Sequence, residues 1–258
     1  EAGRGNRPGG LLNAVDFATD EQGVIVGDVG RIYLTHDGGT TWEQLPRVID
    51  LDLYDVQFLN DKVGFIAGGY FSEGTILHTQ NGGRSWGVLA HLENAVYALH
   101  MVNERIGWAV GREGYIWHTQ NGWRNWQVQT RLPGEHPTLY DVLFLDTSKV
   151  WAVGTEGRIV ATTDGGRTWQ MQNSGTDVVL MKIAYNQRDA LIVVGDWNTI
   201  LRYQDDTLLR YARLSVEASG KRLTQWGRVK SELYQNFPNP FNPETWMPYQ
   251  LATPSEVT

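Results

Sequence analysis

The amino-acid sequence predicts an all-β protein, a β-propeller built from four-stranded antiparallel blades. A motif of eight residues, "THDGGTTW" at 35–42, returns as "TQNGGRSW", "TQNGWRNW" and "TTDGGRTW". Its acidic or amide residue, with a fainter fifth copy at Asp205, recurs at intervals of 44, 40, 43 and 41 residues. This interval is the length of a propeller blade. Between the motifs, apolar and polar residues alternate over short segments bounded by turn residues, and no segment keeps a helical period.

Every repeat contains the same four predicted strands in the same order. The first alternates, as in "YDVQFL", the second ends in glycine, as in "FIAG", and the third ends in threonine in the first four repeats, as in "TILHT", and in tyrosine in the fifth. The motif follows as a turn, and its tryptophan opens the fourth strand. A single four-stranded sheet cannot cover both of its faces, so the repeats should stack around an axis. The five visible units cover residues 11–47, 53–92, 96–130, 139–174 and 180–215.

The two ends of the chain differ in composition from the repeats. Residues 1–10 read as an N-terminal extension and residues 216–231 as a linker. All 29 glycines lie at or before Gly227, whereas five of the nine prolines fall in the last 27 residues. This change predicts a boundary near residue 228, with a short extended C-terminal segment at 232–258.

Composition excludes several classes of function. The 258 residues carry a formal charge of −7 without a basic stripe, so nucleic acid is not an expected partner. Because cysteine is absent, disulfides and thiolate metal sites are excluded. No apolar run approaches the roughly 20 residues that span a membrane. None of the six histidines has metal-ligand spacing, so we expect neither a metal nor a cofactor.

The repeated motif is predicted to be a structural turn. Its first key residue is Asp in two copies and Asn in the other two. An amide can accept backbone N–H bonds as a carboxylate does, but it cannot replace a catalytic acid or base. The glycine supplies positive φ, and the tryptophan should pack on the neighbouring sheet. The predicted structural residues are Asp37, Gly38, Trp42, Asn81, Gly82, Trp86, Asn121, Gly122, Trp126, Asp164, Gly165 and Trp169.

These motif residues resemble the Asp-box, or BNR, repeat. The longer unit "GxxGxIxxTxDGGxTW" is similar to the photosystem II assembly and stability factor family of β-propellers, over residues 11–215. That resemblance implies a seven-bladed ring, so the five units either close a smaller ring or lack blades. It also implies a role in photosystem II assembly as one functional alternative. Asp-boxes occur in glycoside hydrolases and receptors as well, so the motif specifies the fold better than the activity.

The C-terminal segment resembles a second family. The sequence "NFPNPFNPET" at Asn236–Thr245 is similar to the start of the secretion-sorting, FlgD-like immunoglobulin-type domain of bacterial proteins. Residues 232–258 would then be the first part of such a domain. The resemblance implies a secreted or cell-surface protein whose tail contacts secretion machinery.

The candidate binding residues lie in the turns between the second and third strands. In a propeller these turns share one face, here called the rim, with the links between blades, while the Asp-box turns lie on the other. The rim turns differ from blade to blade, as recognition residues should. The second blade has a longer turn with two aromatic residues. The predicted rim residues are Asp28, Arg31, Tyr70, Phe71, Arg112, Glu113, Glu156, Arg158, Asp196 and Trp197.

Three functions remain open at this stage. The first is a non-catalytic scaffold that binds a protein or glycan at its rim. The second is a glycoside hydrolase, which needs two carboxylates about 5–9.5 Å apart. Spacing alone assembles no such pair and no arginine triad, so no catalytic residue is predicted. The third is the photosystem II assembly role that the family resemblance implies.

Overall fold

The computed structural model describes residues 10–122, 125–146, 148–186, 190–204, 207–216 and 222–226, with only the backbone from residue 204 onward. All of them belong to a compact unit that ends at Gly227. The separate unit Arg228–Thr258, with the predicted sorting motif, lies outside the described residues, as do residues 1–9 of the N-terminal extension.

In the part of the chain that the structure describes, twenty-one strands form five antiparallel sheets, one for each predicted repeat. Blade 1 contains β1 (Leu12–Phe17), β2 (Gly23–Gly27), β3 (Arg31–Thr35) and β4 (Glu43–Gln44). Blade 2 contains β5 (Asp52–Phe58), β6 (Gly64–Tyr70), β7 (Glu73–Thr79) and β8 (Gly87–Leu92). Blade 3 contains β9 (Val96–Met101), β10 (Gly107–Gly111), β11 (Tyr115–Thr119) and β12 (Gln127–Arg131). Blade 4 contains β13 (Leu139–Phe144), β14 (Val150–Gly154), β15 (Ile159–Thr162) and β16 (Gln170–Gln172).

The fifth blade has one strand more than the other four. It contains β17 (Leu180–Tyr185), β18 (Leu191–Gly195), β19 (Thr199–Gln204), β20 (Thr207–Val216) and β21 (Arg222–Trp226). Strand β21 pairs with β20 and lies inside the segment 216–231 that was predicted to be a linker. Its sequence "RLTQW" alternates over too few residues to stand out without its partner strand. Part of that segment is therefore a sheet edge.

The five blades are arranged in a ring as a five-bladed β-propeller, and the predicted fold class is confirmed. Within each blade the strands pair in chain order. The first strand of each blade contacts the first strand of the next, from β1 through β5, β9 and β13 to β17. None of the described residues forms a helix long and apolar enough to cross a membrane.

Four apolar clusters hold consecutive blades together, one between each pair from blade 1 to blade 5. Trp117 lies in the cluster between blades 2 and 3, and Trp151 in that between blades 4 and 5, both almost fully buried. Blades 2 to 4 therefore bury both faces only by packing on their neighbours, as the repeat pattern predicted.

Carboxylates of the inner strands also tie neighbouring blades together. Asp16 accepts a hydrogen bond from the Phe58 amide at 2.6 Å, Asp55 from Leu99 at 2.9 Å, and Asp141 from Ile183 at 2.8 Å. In each case the donor is the first strand of the next blade. These bonds satisfy inner-strand amides that have no strand partner on the side of the axis.

Each Asp-box forms a separate turn closed by its own side chain. The Asp37 carboxylate accepts the Thr41 amide at 2.8 Å and the Thr41 hydroxyl at 2.6 Å. The Asn81 side-chain oxygen accepts the Ser85 backbone amide at 3.0 Å, and its NH2 group donates to the Ser85 hydroxyl. The equivalent bonds at Asn121 and Asp164 are 3.0 and 2.9 Å long. All four side chains thus bond within their own hairpins.

The glycine and tryptophan of the motif have distinct structural positions. Gly38 has φ 68°, and its equivalents have φ between 49° and 72°. The Trp86 indole donates to the Gly83 carbonyl at 3.0 Å and packs in the cluster shared with blade 1. Trp126 and Trp169 likewise pack on clusters shared with the blade before their own.

Candidate functional site at the rim

The rim turns are tight hairpins whose tips have an unusual backbone conformation. Val29, Glu113, Glu156 and Trp197 all have φ between 55° and 58°. The residue after each of them, Gly30, Gly114, Gly157 or Asn198, also has positive φ. Two consecutive residues of positive φ are the mark of a type I′ hairpin, which suits the twist of the strands. The longer turn of blade 2 has Phe71 at φ 50°.

Three tyrosines from consecutive blades form a row at the inner end of these turns. The rings of Tyr54 and Tyr97 lie 4.8 Å apart, and those of Tyr97 and Tyr140 lie 5.5 Å apart. All three occupy the same position near the start of the first strand of their blades and are half-buried. We call Tyr54, Tyr97 and Tyr140 the tyrosine row.

Burial raises the pKa of each tyrosine in the row, so their hydroxyls are protonated donors at neutral pH. The charge of Asp52 raises the pKa of Tyr54 further, and Asp28 acts in the same direction. The charge of Arg112 lowers the pKa of Tyr97, against the effect of burial. The charge of Asp196 raises the pKa of Tyr140 further. These electrostatic neighbours place the row close to rim turns of blades 1, 3 and 5.

A cluster of cations surrounds Glu113 at the rim turn of blade 3. Its carboxylate lies 3.2 Å from Arg131, 3.5 Å from Arg112 and 2.8 Å from the His136 ring nitrogen. The hydrogen bond with His136 is the main reason why the pKa of Glu113 lies below its usual range, and the two arginines add to it. Because two guanidinium groups share one carboxylate, the cluster has an excess of positive charge.

The long turn of blade 2 places its aromatic residues against this cluster. The Arg112 guanidinium lies over the Phe71 ring, 4.8 Å from its centre. Tyr70 and Phe71 contact edge to face at 4.6 Å, and the Phe71 carbonyl accepts the Ala95 amide at 2.9 Å. Both rings are about half exposed, so a ligand could reach them. Tyr70, Phe71, Arg112 and Glu113 are therefore brought together as one group.

The other predicted rim residues are not part of that group. Asp28 accepts the Leu11 amide at 2.8 Å, and its turn is tied to the neighbouring strand. Arg31 lies against Gly10, where a side chain would collide with its guanidinium. Arg158 and Glu156 pair with each other at 2.6 Å within one turn. In blade 5, Trp197 is 76% exposed at the hairpin tip and Asp196 is exposed beside it.

Sequence reasoning missed five residues of this site. The three tyrosines had a visible signal, since "LYDV", "VYAL" and "LYDV" repeat a tyrosine at one strand position. Arg131 ends the fourth strand of blade 3 and reaches Glu113 only because β12 pairs with β11. His136 lies in the link to blade 4, at φ 47°. No spacing in the sequence indicates that either residue meets Glu113.

The chemistry of the site suits binding. Tyrosine hydroxyls donate to carbonyl oxygens, aromatic faces bind apolar or planar groups, and the exposed part of Arg112 attracts carboxylates. Among the described residues, the carboxylates whose pKa is raised are Asp55 and Asp141, and both accept a backbone amide of the next blade. The rim carboxylates Glu113 and Glu156 are paired with cations.

The sequence repeats and the fold both indicate a β-propeller, and the model of one protein family matches the chain. The family model described as photosynthesis system II assembly factor YCF48 matches residues 44–142 and 135–204, which together exceed half of the chain. The chain belongs to this YCF48 family. The family match covers blades 2 to 4, most of blade 5 and the whole of the group around Arg112. No curated protein is significantly similar to the chain.

Solved structures show the same fold at low sequence identity. The computationally designed Ika8 protein is 13% identical, with a TM-score of 0.62 over 84% of this chain and 71% of its own. The GH74 enzyme of Niastella koreensis is 14% identical, with a TM-score of 0.60 over 84% of this chain and 37% of its own. A structure of YCF48 bound to D1 peptide is 20% identical and covers 76% and 80%, with a TM-score of 0.45. At these identities the similarity concerns the fold.

Proposed function

We propose that this YCF48-family protein is a non-catalytic scaffold that binds an extended segment of a partner protein at its rim. The observation that supports this proposal is the tyrosine row beside the group of Phe71, Arg112 and Glu113. Together they form one surface with hydroxyl donors, exposed aromatic rings and, around Glu113, two guanidinium groups.

An extended peptide fits this chemistry better than a compact ligand. Its backbone carbonyls recur along the chain and can accept from successive tyrosine hydroxyls, which also recur from blade to blade. An acidic side chain or a terminal carboxylate of the peptide would pair with Arg112, whose side chain is 31% exposed. Its apolar side chains would pack on Tyr70 and Phe71.

Family membership supports a protein partner over a glycan. The family is named for an assembly factor, and an assembly factor works by holding other proteins. Whether the partner is a photosystem II subunit or another protein is the finer question. A secreted or cell-surface location, with the tail contacting secretion machinery, remains a proposal that rests on the motif at Asn236–Thr245.

The hydrolase alternative has no support from the described geometry. A glycosidase needs a protonated carboxyl group near a free carboxylate. Glu113 has a lowered pKa and is held by cations, and Glu156 is paired with Arg158. The GH74 structures share the fold at 14–15% identity, and fold alone does not transfer an activity.

A peptide array and matched variants would test the proposal. The purified protein is applied to an array of short unstructured peptides of varied charge, and the strongest binder is measured by calorimetry. We expect preference for acidic peptides, with Tyr97→Ala and Arg112→Gln each weakening affinity by about 10-fold. Arg84→Gln, in an Asp-box turn on the opposite face, is the control and should bind normally. Equal losses in all three variants, or no peptide binding, would contradict a rim site.

A further inference from the structure

A polar groove lies where blade 1 meets blade 2, on the face of the propeller that carries the Asp-box turns. Three turns line it: the β1–β2 turn of blade 1, the β5–β6 turn of blade 2, and the Asp-box turn of blade 2. Its volume of about 370 Å³ is in the range of small-molecule sites. We call it the Asp-box groove. The side chains that line it include Thr19, Gln22, Asp61, Lys62, Asn81 and Arg84.

Gln22 makes this junction polar, in contrast to the next two junctions along the chain. Its side-chain amide donates to the Gly82 carbonyl in the Asp-box of blade 2. Strand register places Val63 and Ile106 at the same position in blades 2 and 3, just before the second strand. Val63 belongs to the apolar cluster between blades 2 and 3, and Ile106 packs on the cluster between blades 3 and 4. The repeat does not require a polar residue here, so Gln22 gives this junction a chemistry of its own.

Hydrogen bonds fix the walls of the groove. The Thr19 hydroxyl accepts the Gln22 amide at 3.0 Å, and the Asn60 side chain accepts the Lys62 amide at 2.9 Å. The Gly82 amide donates to the Lys62 carbonyl at 2.8 Å, which joins the Asp-box turn to the β5–β6 turn. A ligand therefore meets a backbone that is already ordered, and this lowers the entropic cost of binding.

The charged side chains of the groove have no charged partner within the described part of the chain. Lys62 and Arg84 are exposed, and neither forms an ion pair there. The same is true of Asp61. Two cations and one carboxylate leave the groove with a net positive charge. A guanidinium and an ammonium group together suit a phosphate or a carboxylate.

We propose that the Asp-box groove binds a small hydroxylated anion, such as a sugar phosphate or a sugar acid. Arg84 and Lys62 bind the phosphate or carboxylate group, and Asp61 and Thr19 form hydrogen bonds with the ligand hydroxyls. None of the described side chains that line the groove is aromatic, so affinity depends on charge more than on stacking against a sugar ring. The groove lies on the face opposite the rim, so this site does not depend on the peptide site proposed above.

An NMR titration of the full chain tests the site, with glucose 6-phosphate, glucuronate, glucose and inorganic phosphate as probes. We expect the sugar anions to shift the backbone amide signals of Thr19, Lys62 and Arg84. Neutral glucose should bind about 10-fold more weakly or worse, because it lacks the oxyanion. Inorganic phosphate should also bind more weakly than glucose 6-phosphate, because it lacks the sugar hydroxyls. Binding of either sugar anion supports the proposal, and the tighter of the two identifies the oxyanion that the groove takes.

Two matched pairs of variants locate the binding. Arg84→Gln removes a cation from the groove, and Arg167→Gln removes the equivalent cation from the Asp-box of blade 4. Asn81→Asp adds a negative charge to the groove, and Asn121→Asp makes the same exchange in blade 3. The turn tolerates this exchange, since Asp37 makes the equivalent backbone bond in blade 1. We expect Arg84→Gln and Asn81→Asp each to weaken binding of the sugar anions by about 10-fold, and the other member of each pair to bind normally.

Further controls separate this site from the rim and from effects on folding. Arg112→Gln at the rim should bind the sugar anions normally, so the loss of one site can be told from the loss of the other. Circular dichroism checks that each variant folds, and Lys62→Gln replaces Arg84→Gln if that variant does not. Equal binding of glucose and the sugar anions, equal losses in both members of a pair, or no binding of either sugar anion would overturn the proposal.

Discussion

At the residue scale, the Asp-box shows why a carboxylate can recur without doing chemistry. Asp37 and Asn81 make the same bond to a backbone amide four residues later, and their second polar atom binds the hydroxyl of that residue. The oxygen acceptor is required, and the negative charge is not. The glycine after it is required for its backbone angle.

Two substitutions in one turn can test the structural role of the Asp-box. Gly38→Val should destabilise the fold by about 1–3 kcal/mol, because a β-branched residue resists φ 68°. Asp37→Asn should have a smaller effect, since Asn81 already serves in the same place. Gly38→Asn is the control, because asparagine tolerates positive φ better than valine. Thermal melts that ranked Asp37→Asn as the most damaging would contradict this account.

Asp55 should make stability depend on pH near neutrality. Burial raises its pKa to about 7 from the usual 3.8, against the opposing charge of Lys182. The buried charge of the ionised Asp55 carboxylate lowers the stability of the folded protein. This cost is absent below pH 4, grows as pH rises, and is complete above about pH 7. We expect Asp55→Asn to gain stability over the unchanged protein across that range, by at most about 4 kcal/mol.

Denaturant unfolding at several pH values measures the Asp55 effect. Asp37→Asn is a useful comparison, because hydrogen bonds from Thr41 lower the pKa of Asp37 to about 2. The contribution of Asp37 is present above about pH 4 and is lost as pH falls towards 2. The stability difference from the unchanged protein should therefore have opposite signs in the two variants: Asp37→Asn loses stability as pH rises from about 2 to 4, and Asp55→Asn gains stability as pH rises from about 4 to 7. A constant difference for Asp55→Asn between pH 4 and 8 would refute the assignment.

At the element scale, the rim hairpins share one turn geometry, but some of their residues disfavour the positive φ that this turn requires. A type I′ turn favours asparagine or glycine at its first central position, yet blade 1 has Val29 there at φ 57°. The turn is held by its surroundings, since the Val29 amide donates to Asp52 at 2.8 Å and the Gly30 amide to Leu51 at 2.7 Å. These bonds tie the hairpin to the link between blades 1 and 2.

Relief of this strain should stabilise the protein. We expect Val29→Asn to raise stability by about 1 kcal/mol, because asparagine accepts the left-handed conformation and the two amide bonds remain. Val29→Ala should gain less, since alanine is also strained at positive φ. Differential scanning calorimetry of the three proteins gives the order. A lower melting temperature for Val29→Asn would mean that valine packing outweighs its backbone strain.

At the scale of the whole molecule, equivalent residues differ in importance because of their place around the propeller. Ile116 of blade 3 is fully buried against blade 4, whereas Ile200 of blade 5 is only partly buried. The two isoleucines occupy equivalent positions in their blades, and each pairs with a valine on the second strand of its own blade. Ile116 lies in the apolar cluster that blades 3 and 4 share, whereas Ile200 lies in none of the four clusters described above.

Paired alanine substitutions measure this difference. Ile116→Ala should cost about 2–5 kcal/mol, the usual range for a large-to-small change in a core. Ile200→Ala should cost about 1 kcal/mol, because its side chain is already partly exposed to water. Urea unfolding curves for both variants provide the comparison. Equal costs would show that blade 5 is covered as completely as blade 3.

The structure of a single blade could be predicted from the sequence, because the repeat length, the alternation and the turn residues are all local features. The octapeptide at 35–42 and its copies fixed where each hairpin turns, and the Asp and Asn exchange indicated a structural role before any geometry was known. The rim turns were located for the same reason. Strand β21 was missed because a short edge strand depends on its partner more than on its own pattern.

The binding chemistry of the rim, by contrast, depends on contacts between segments that are far apart in the chain. Arg131 and His136 meet Glu113 across strand pairing and an inter-blade link, and the tyrosine row forms across three blades. Val194 and Val110 are the same residue at the same strand position, yet one is exposed and the other buried. Side-chain surroundings of this kind depend on which blades become neighbours, and no local pattern in the chain encodes that.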